Sequence, residues 1–220
     1  ETITMKKKFC QLVKRPEKYY SVSYDRYPDT LNAVIGNNLV RKRGQHTRIG
    51  LLGSINEKRR NYNIICVALN KLPKRLLKSI EFVTLGECSE EKLNSTIFNL
   101  QKIVKVDCTK GVLSEESFAS RGKSCDVLIA PLSNNEYGTL KGTGSIGDAV
   151  YLKKRMIIPS FVDPELEFEI FCKYYKNSSE LAELFKNEVK RKKYNLPNKV
   201  FNQFETTQVY KALVSDLKLC

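Results

Sequence analysis

From residue 48 onward, apolar residues arrive in two alternating rhythms. Short continuous runs stop at glycine, proline or an acid: "RIGLLGS", "IEFVTLG", "KIVKVD", "CDVLIAPL" and "RMIIPS". Runs without polar alternation suit strands buried on both faces of a parallel sheet. "FEIFCKYY" reads as a sixth strand. Between the runs, apolar positions take helical spacing. "NYNIICVALNKL" places Ile64, Ile65, Val67, Ala68 and Leu72 on a buried stripe. "SEEKLNSTIFNLQK" opens with Ser89 as a cap and acids in its first turn. "LSEESFASRGK" repeats the device with Ser114, and "SSELAELFKNEVKRKK" gathers Leu181, Leu184, Phe185 and Val189 on one face. "FNQFETTQVYKALVSDLKL" closes the chain as a last helix. This alternation predicts an α/β fold, a Rossmann-like parallel sheet of about six strands with helices on both faces.

Residues 1–46 break the rhythm. "VKRPEKYYSVSYDRYPDT" has no sustained period. It reads as a short helix near 3–14, an extended stretch near 19–24 and a linker. The chain begins with Glu1 rather than Met, so a piece of a longer protein is expected. Residues 1–46 are then the remnant of a preceding domain and its linker, and 47–220 the α/β domain.

Composition narrows the chemistry. Across 220 residues the formal charge is +14, which attracts polyanions: nucleic acid, anionic lipid or phosphorylated small molecules. Basic clusters stand at "RKR" 41–43 and "KRKK" 190–193. No recognition helix, zinc finger or RNP signature accompanies them, so specific nucleic-acid binding is not expected. A basic surface resting on an anionic bilayer fits the same charges. The seven cysteines include no C-x-x-C pair and read as reduced, mostly buried thiols of a cytoplasmic protein. With His46 as the single histidine, neither a zinc site nor a Ser-His-Asp triad is expected. No apolar run has the length of a membrane span, and no apolar segment of signal-peptide type follows the first residues.

"GTGSIGDAV", residues 142–150, contains G-x-G-x-x-G. In a dinucleotide fold that turn follows the first strand directly, with an acid at the end of the next strand. Here the preceding run ends near Leu132, well before Gly142, and the nearest acid, Asp163, lies past "IIPS". The strand concerned is also about the fourth along the chain rather than the first. The dehydrogenase context therefore fails on position. Ligands of parallel sheets sit beyond the carboxyl ends of the strands, so the loops after Leu52, Leu85, Val106 and Leu132 face one cleft. Helix amino termini there favour phosphate.

The whole block "CDVLIAPLSNNEYGTLKGTGSIGDAVYLKKRMIIP" runs strand, acid-bearing glycine-rich loop, short helix with Asp148, and strand ending in proline. With "SFASRGKSCDVLIAPL" before it, "RIGLLGSINEKRRNYNIICVAL" as first strand and helix, and "NSSELAELFKN" as late helix, it resembles the C-terminal nucleotide-sugar half of the retaining GT-B glycosyltransferases of family four. The resemblance covers residues 48–215. It implies a nucleotide-sugar-binding domain at 47–220, working on a UDP- or GDP-type donor, without a metal ion or other cofactor. An acceptor of glycan or lipid-linked type would meet an N-terminal domain of the same parent protein, so this chain alone should bind donor but transfer poorly. The setting would be cytoplasmic, and the basic surface leaves contact with the inner face of a membrane open.

The same resemblance implies site residues. Arg59 and Glu136 would be catalytic. Gly53, Ser54, Lys58, Arg60, Gly142, Thr143, Gly144, Ser145, Ile146, Gly147 and Asp148 would bind the donor: the glycine run and the basic turn on the diphosphate, Asp148 on ribose and Glu136 on sugar hydroxyls. Two departures stand out. Glu136 and Asp148 lie farther apart than the family's pair of glutamates, and Ser54 stands where the family carries an arginine. The residues also admit plainer roles. Ser145 with Asp148 spells a capping box, and the basic turn is also what a solvated surface looks like. Two other classes stay open: a nucleotide-binding module without turnover, and a basic nucleic-acid or membrane-surface protein. Nucleotide binding set against salt-dependent polyanion binding separates them.

Overall fold

The computed structural model describes residues 46–88, 97–133, 143–191, 197 and 199–202. Six parallel strands make one sheet: β1 Thr47–Leu52, β2 Ile80–Leu85, β3 Lys105–Asp107, β4 Val127–Ile129, β5 Met156–Pro159 and β6 Cys172–Tyr175. Their spatial order is β3-β2-β1-β4-β5-β6. The predicted α/β class and parallel sheet are thus present, with β3 and β6 confined to the carboxyl-terminal parts of their apolar runs.

Register explains the continuous apolar runs. Pairing of Ile49 with Phe82 and Val127, and of Ile129 with Ile157, stacks one row of side chains on one face. That row packs under α1 Tyr62–Asn70, α3 Phe98–Gln101 and α6 Ser178–Lys190, where Phe185 meets Phe82 edge-on at 5.9 Å. The opposite row, with Val83, Leu128, Met156 and Cys172, packs under α4 Glu115–Lys123, α5 Gly144–Leu152 and α7 Lys199–Asn202. Both faces are covered, so both alternating sets of a strand are apolar. Between α1 and β2 lies a short helix, α2 Lys74–Leu77, opened by Pro73. It was not expected.

Two sequence expectations need correction. The buried stripe of α1 is Tyr62, Ile65, Ala68 and Leu69, continued by Leu72, while Val67 is exposed. Asn61 caps this helix by accepting from the Ile64 amide, which fixes where the helical phase begins. The capping box at Ser145 and Asp148 does not form. α5 starts earlier, and Thr143 is its cap, its Oγ1 accepting from the Ser145 amide at 3.2 Å. Ser114 caps α4 as expected, accepting from the Ser117 amide. The predicted elements within 1–45, the Ser89 cap and most of the last helix lie outside the described residues.

Candidate nucleotide site

After β1 the chain moves outward to β2 and β3, then returns to place β4 on the other flank of β1. Connections on the two sides of β1 and β4 therefore diverge and open a crevice beyond their carboxyl ends. Two segments line it. One is the turn 53–61 after β1. The other is Pro131–Ser133 after β4 together with Thr143 and the amino terminus of α5.

The turn is tied to the β4 exit by backbone bonds. Asn61 donates its amide to the Pro131 carbonyl at 2.7 Å, and the Ser133 amide donates to the Arg59 carbonyl at 3.0 Å. Arg60 and Leu132 form an antiparallel bridge. The tip is a tight turn around Asn56, whose carbonyl accepts from the amides of Arg59 and Arg60 and whose Oδ1 accepts from the Lys58 amide. Glu57, Lys58 and Arg59 are exposed at this tip.

Arg60, next to Arg59 in sequence, points the other way. It is 8% exposed, and its Nε donates to the Leu52 carbonyl at 2.9 Å and its Nη1 to the Ser54 carbonyl at 3.3 Å. Gly53 lies directly against the guanidinium. Its φ is +77°, and a Cβ there would sit 1.9 Å from Nη2. From the β2 side Gly86 closes in: a Cβ on Gly86 would stand 2.2 Å from the Gly53 carbonyl carbon and 2.5 Å from the Ser54 nitrogen. Only glycine permits either approach. The Tyr62 hydroxyl donates to the Ser54 carbonyl at 3.4 Å and accepts from the Asn56 amide at 3.3 Å. Burial pushes its phenol up to about 12, against the opposing pull of the Arg60 charge. Among the described residues Arg60 has no carboxylate partner.

Across the crevice, α5 is buried along nearly its whole length. Gly144 is exposed, whereas Thr143, Ser145, Ile146, Gly147 and Asp148 are buried. Ile146 faces the core beneath the sheet, so toward an anion it has only its backbone to offer. No acid lies in the first turn, and an acid there would have offset the positive end of the helix dipole. Gly142 and Glu136 lie outside the described residues. The structure thus brings the basic turn, Gly53, Ser54 and the α5 amino terminus to one end of one sheet. It separates Arg59 and Arg60 into an exposed and a buried cation.

Sequence reasoning missed three parts of this end: Tyr62, Gly86 and Asp163. Asp163, 1% exposed, accepts from the Glu167 and Phe168 amides at 3.0 Å each and from the Tyr174 hydroxyl at 2.5 Å. It braces the loop after β5. Burial, then the bond to Asp163, raises the Tyr174 phenol far above its ordinary value. The Asp163-Pro164 dipeptide, which favours turn initiation, was the available signal.

No family model matches the chain, and no curated protein matches it. Solved structures do. An apo structure of OtsA superposes with a TM-score of 0.58 at 8% identity, over 88% of this chain and 50% of that one. An alpha,alpha-trehalose-phosphate synthase (UDP-forming) from Burkholderia xenovorans, in complex with glucose-6-phosphate, gives 0.56 at 9% identity, over 90% and 51%. An E. coli structure described as trehalose-6-phosphate bound with UDP-2-fluoro glucose gives 0.52 at 10% identity, over 88% and 47%. This chain spans about half the length of each. At such identities the likeness establishes the fold: a GT-B glycosyltransferase-like fold, of which this chain has the Rossmann-like sheet expected of a C-terminal domain.

Proposed function

We propose that this chain is the donor-binding domain of a glycosyltransferase that takes a sugar from a nucleoside-diphosphate carrier of UDP or GDP type. The carrying observation is electrostatic. At the switch point of the sheet, the exposed Arg59, a turn underpinned by the buried Arg60 and a helix amino terminus with no acid in its first turn border one crevice, and no carboxylate among the described residues pairs with either arginine. That is an environment for a diphosphate. The likeness to glycosyltransferase structures supports the same reading.

The chemistry follows from charge. As the glycosidic bond to the carrier breaks, negative charge grows on the diphosphate, and the anomeric carbon gains oxocarbenium character. Arg59, Lys58 and the α5 amino terminus would stabilise the leaving group in place of a metal ion. Glu136 would meet sugar hydroxyls and Asp148 the ribose. We assign the enzyme to the retaining, family-four-like group, with a glycan or lipid-linked acceptor held by another domain of the parent protein at the inner face of a membrane. Ser54, in place of the family's arginine, favours a second reading: a nucleotide-binding module without turnover.

Calorimetry of the chain with UDP, GDP, ADP and NAD, without added metal, tests the first reading. Binding of at least one nucleoside diphosphate is expected. Tight NAD binding with no response to any diphosphate would overturn it. Sugar transfer by the parent protein separates the enzyme from the silent module.

A further inference from the structure

We propose that Arg60 is a positioning residue: it holds the Gly53–Ser54 turn from beneath, so that the backbone of the turn, rather than the guanidinium, meets the anion. The inference rests on the diphosphate reading above and reassigns one residue within it.

Three successive carbonyl oxygens of the turn face inward. Those of Leu52 and Ser54 accept from Arg60, and that of Gly53 lies toward Gly86, where a Cβ would stand 2.3 Å from it. Tyr62 adds a second donor to the Ser54 oxygen. With its acceptors engaged against the protein, the turn has its amides left to offer the crevice. The positive φ of Gly53 suits this role, since a left-handed residue lets neighbouring amides converge on one anion. Gly86 contributes by omission: any side chain there would occupy the space beside the Ser54 nitrogen. Arg60 cannot swing out to a ligand without releasing Leu52 and Ser54 together. Its charge still acts through the turn, because no carboxylate among the described residues cancels it. Arg59, exposed at the tip, remains the arginine able to touch phosphate directly.

The test compares Arg60→Lys, Gly53→Ala and the double variant in the full chain. UDP, GDP and ADP are titrated calorimetrically, thermal melting is followed alongside, and amide NMR spectra are recorded without nucleotide. Lysine keeps the charge but offers one ammonium in place of two separated donors. Arg60→Lys should therefore weaken diphosphate binding about tenfold or more, the worth of a charge-assisted bond. It should also shift the Gly53 and Ser54 amide signals before any ligand is added. Gly53→Ala should reproduce the loss by intruding on the guanidinium, and the double variant should lose little beyond either single change. Wild-type affinity in Arg60→Lys, unmoved Gly53 and Ser54 signals, or losses that multiply would each overturn the proposal. If the unaltered chain binds no diphosphate, the function proposed above fails. The apo amide shifts then still decide whether Arg60 sets the turn.

Discussion

Arg155 and Arg60 are buried to nearly the same degree at opposite ends of the sheet, and they are satisfied in opposite ways. Arg155, just before β5, pairs with Glu188 of α6 at 2.5 Å, and Arg191 approaches the same carboxylate at 3.4 Å. Arg48, near the start of β1, likewise meets Glu81 and Asp107 at 3.2 and 2.6 Å. Arg60, beyond the end of β1, meets neutral carbonyls. Burying an unneutralised cation is costly, and the fold avoids it where carboxylates are within reach. At the crevice it carries that cost. A fold that compensates its buried arginines at one end and leaves one without a carboxylate at the other separates charge that holds the sheet together from charge that the proposed anion would use.

The sharpest way to break the comparison is at the neutralised end. Glu188→Ala should strand the buried Arg155 and cost about 3–5 kcal/mol of stability. Urea denaturation measures it. Diphosphate affinity, read on protein that is still folded, should stay at its wild-type value. A loss of affinity matching the loss of stability would mean that the two ends are not separate.

Tyr62 probes the other end through pH. Its phenol rises from 10.0 to about 12 in the folded chain, chiefly through burial. The unfolded chain then gives up its proton first as pH rises. The folded state is fully favoured below pH 10, and this contribution drains away between pH 10 and about 12. Two units correspond to about 3 kcal/mol. Tyr174 and Tyr175 are raised as well, so wild-type stability falls in this range for several reasons. Tyr62→Phe should show a measurably shallower decline in denaturation midpoints from pH 9.5 upward. An unchanged slope would show that the Tyr62 phenol ionises alike in both states.

These cases mark what the sequence could convey. The strands were legible because burial on both faces removes polar alternation, as "IEFVTLG" became the wholly buried β2. The face of α1 was not. Apolar residues at 62, 64, 65, 67, 68 and 69 satisfy more than one stripe, and the Asn61 cap together with the sheet beneath selects among them. In "GTGS" both Thr143 and Ser145 have capping chemistry, and the extended backbone of Thr143, φ −117° and ψ 129°, decides the matter. The basic turn was visible as charge. Its division into an outward Arg59 and an inward Arg60 depends on two glycines 33 positions apart meeting in space, and no local pattern encodes that. Glu136 and Gly142, two of the eight residues expected in the glycine loop, fall outside the described residues.

Arg59→Ala sharpens the crevice end from its exposed side. It should weaken diphosphate binding by about 1.5–3 kcal/mol, the usual worth of a hydrogen bond to a charged group. Stability should move by no more than about 0.5 kcal/mol, as for most surface changes. Calorimetry and a melting curve on one preparation supply both numbers. Full affinity in this variant would remove Arg59 from the proposed site and throw the burden on the turn's backbone.

The smallest expected effect is the most discriminating control on charge. Lys74, Arg75 and Lys78 are exposed around α2, at the amino end of β2, and none makes an ion pair among the described residues. β2 has six residues, which places this patch about 17–20 Å from the crevice. Near physiological salt the screening length is about 8 Å, so three charges at that distance contribute little field at a bound diphosphate. Changing all three to alanine removes three times the charge of Arg59→Ala. It should nonetheless leave diphosphate affinity within about twofold of wild type. Stability should also hold, since no carboxylate is stranded. Losses that scale with the number of cations removed, wherever they sit, would mean that a nucleotide responds to the chain's overall positive charge. The contrast between the two ends of the sheet would then carry no information about a site, and the crevice would lose its claim to be one.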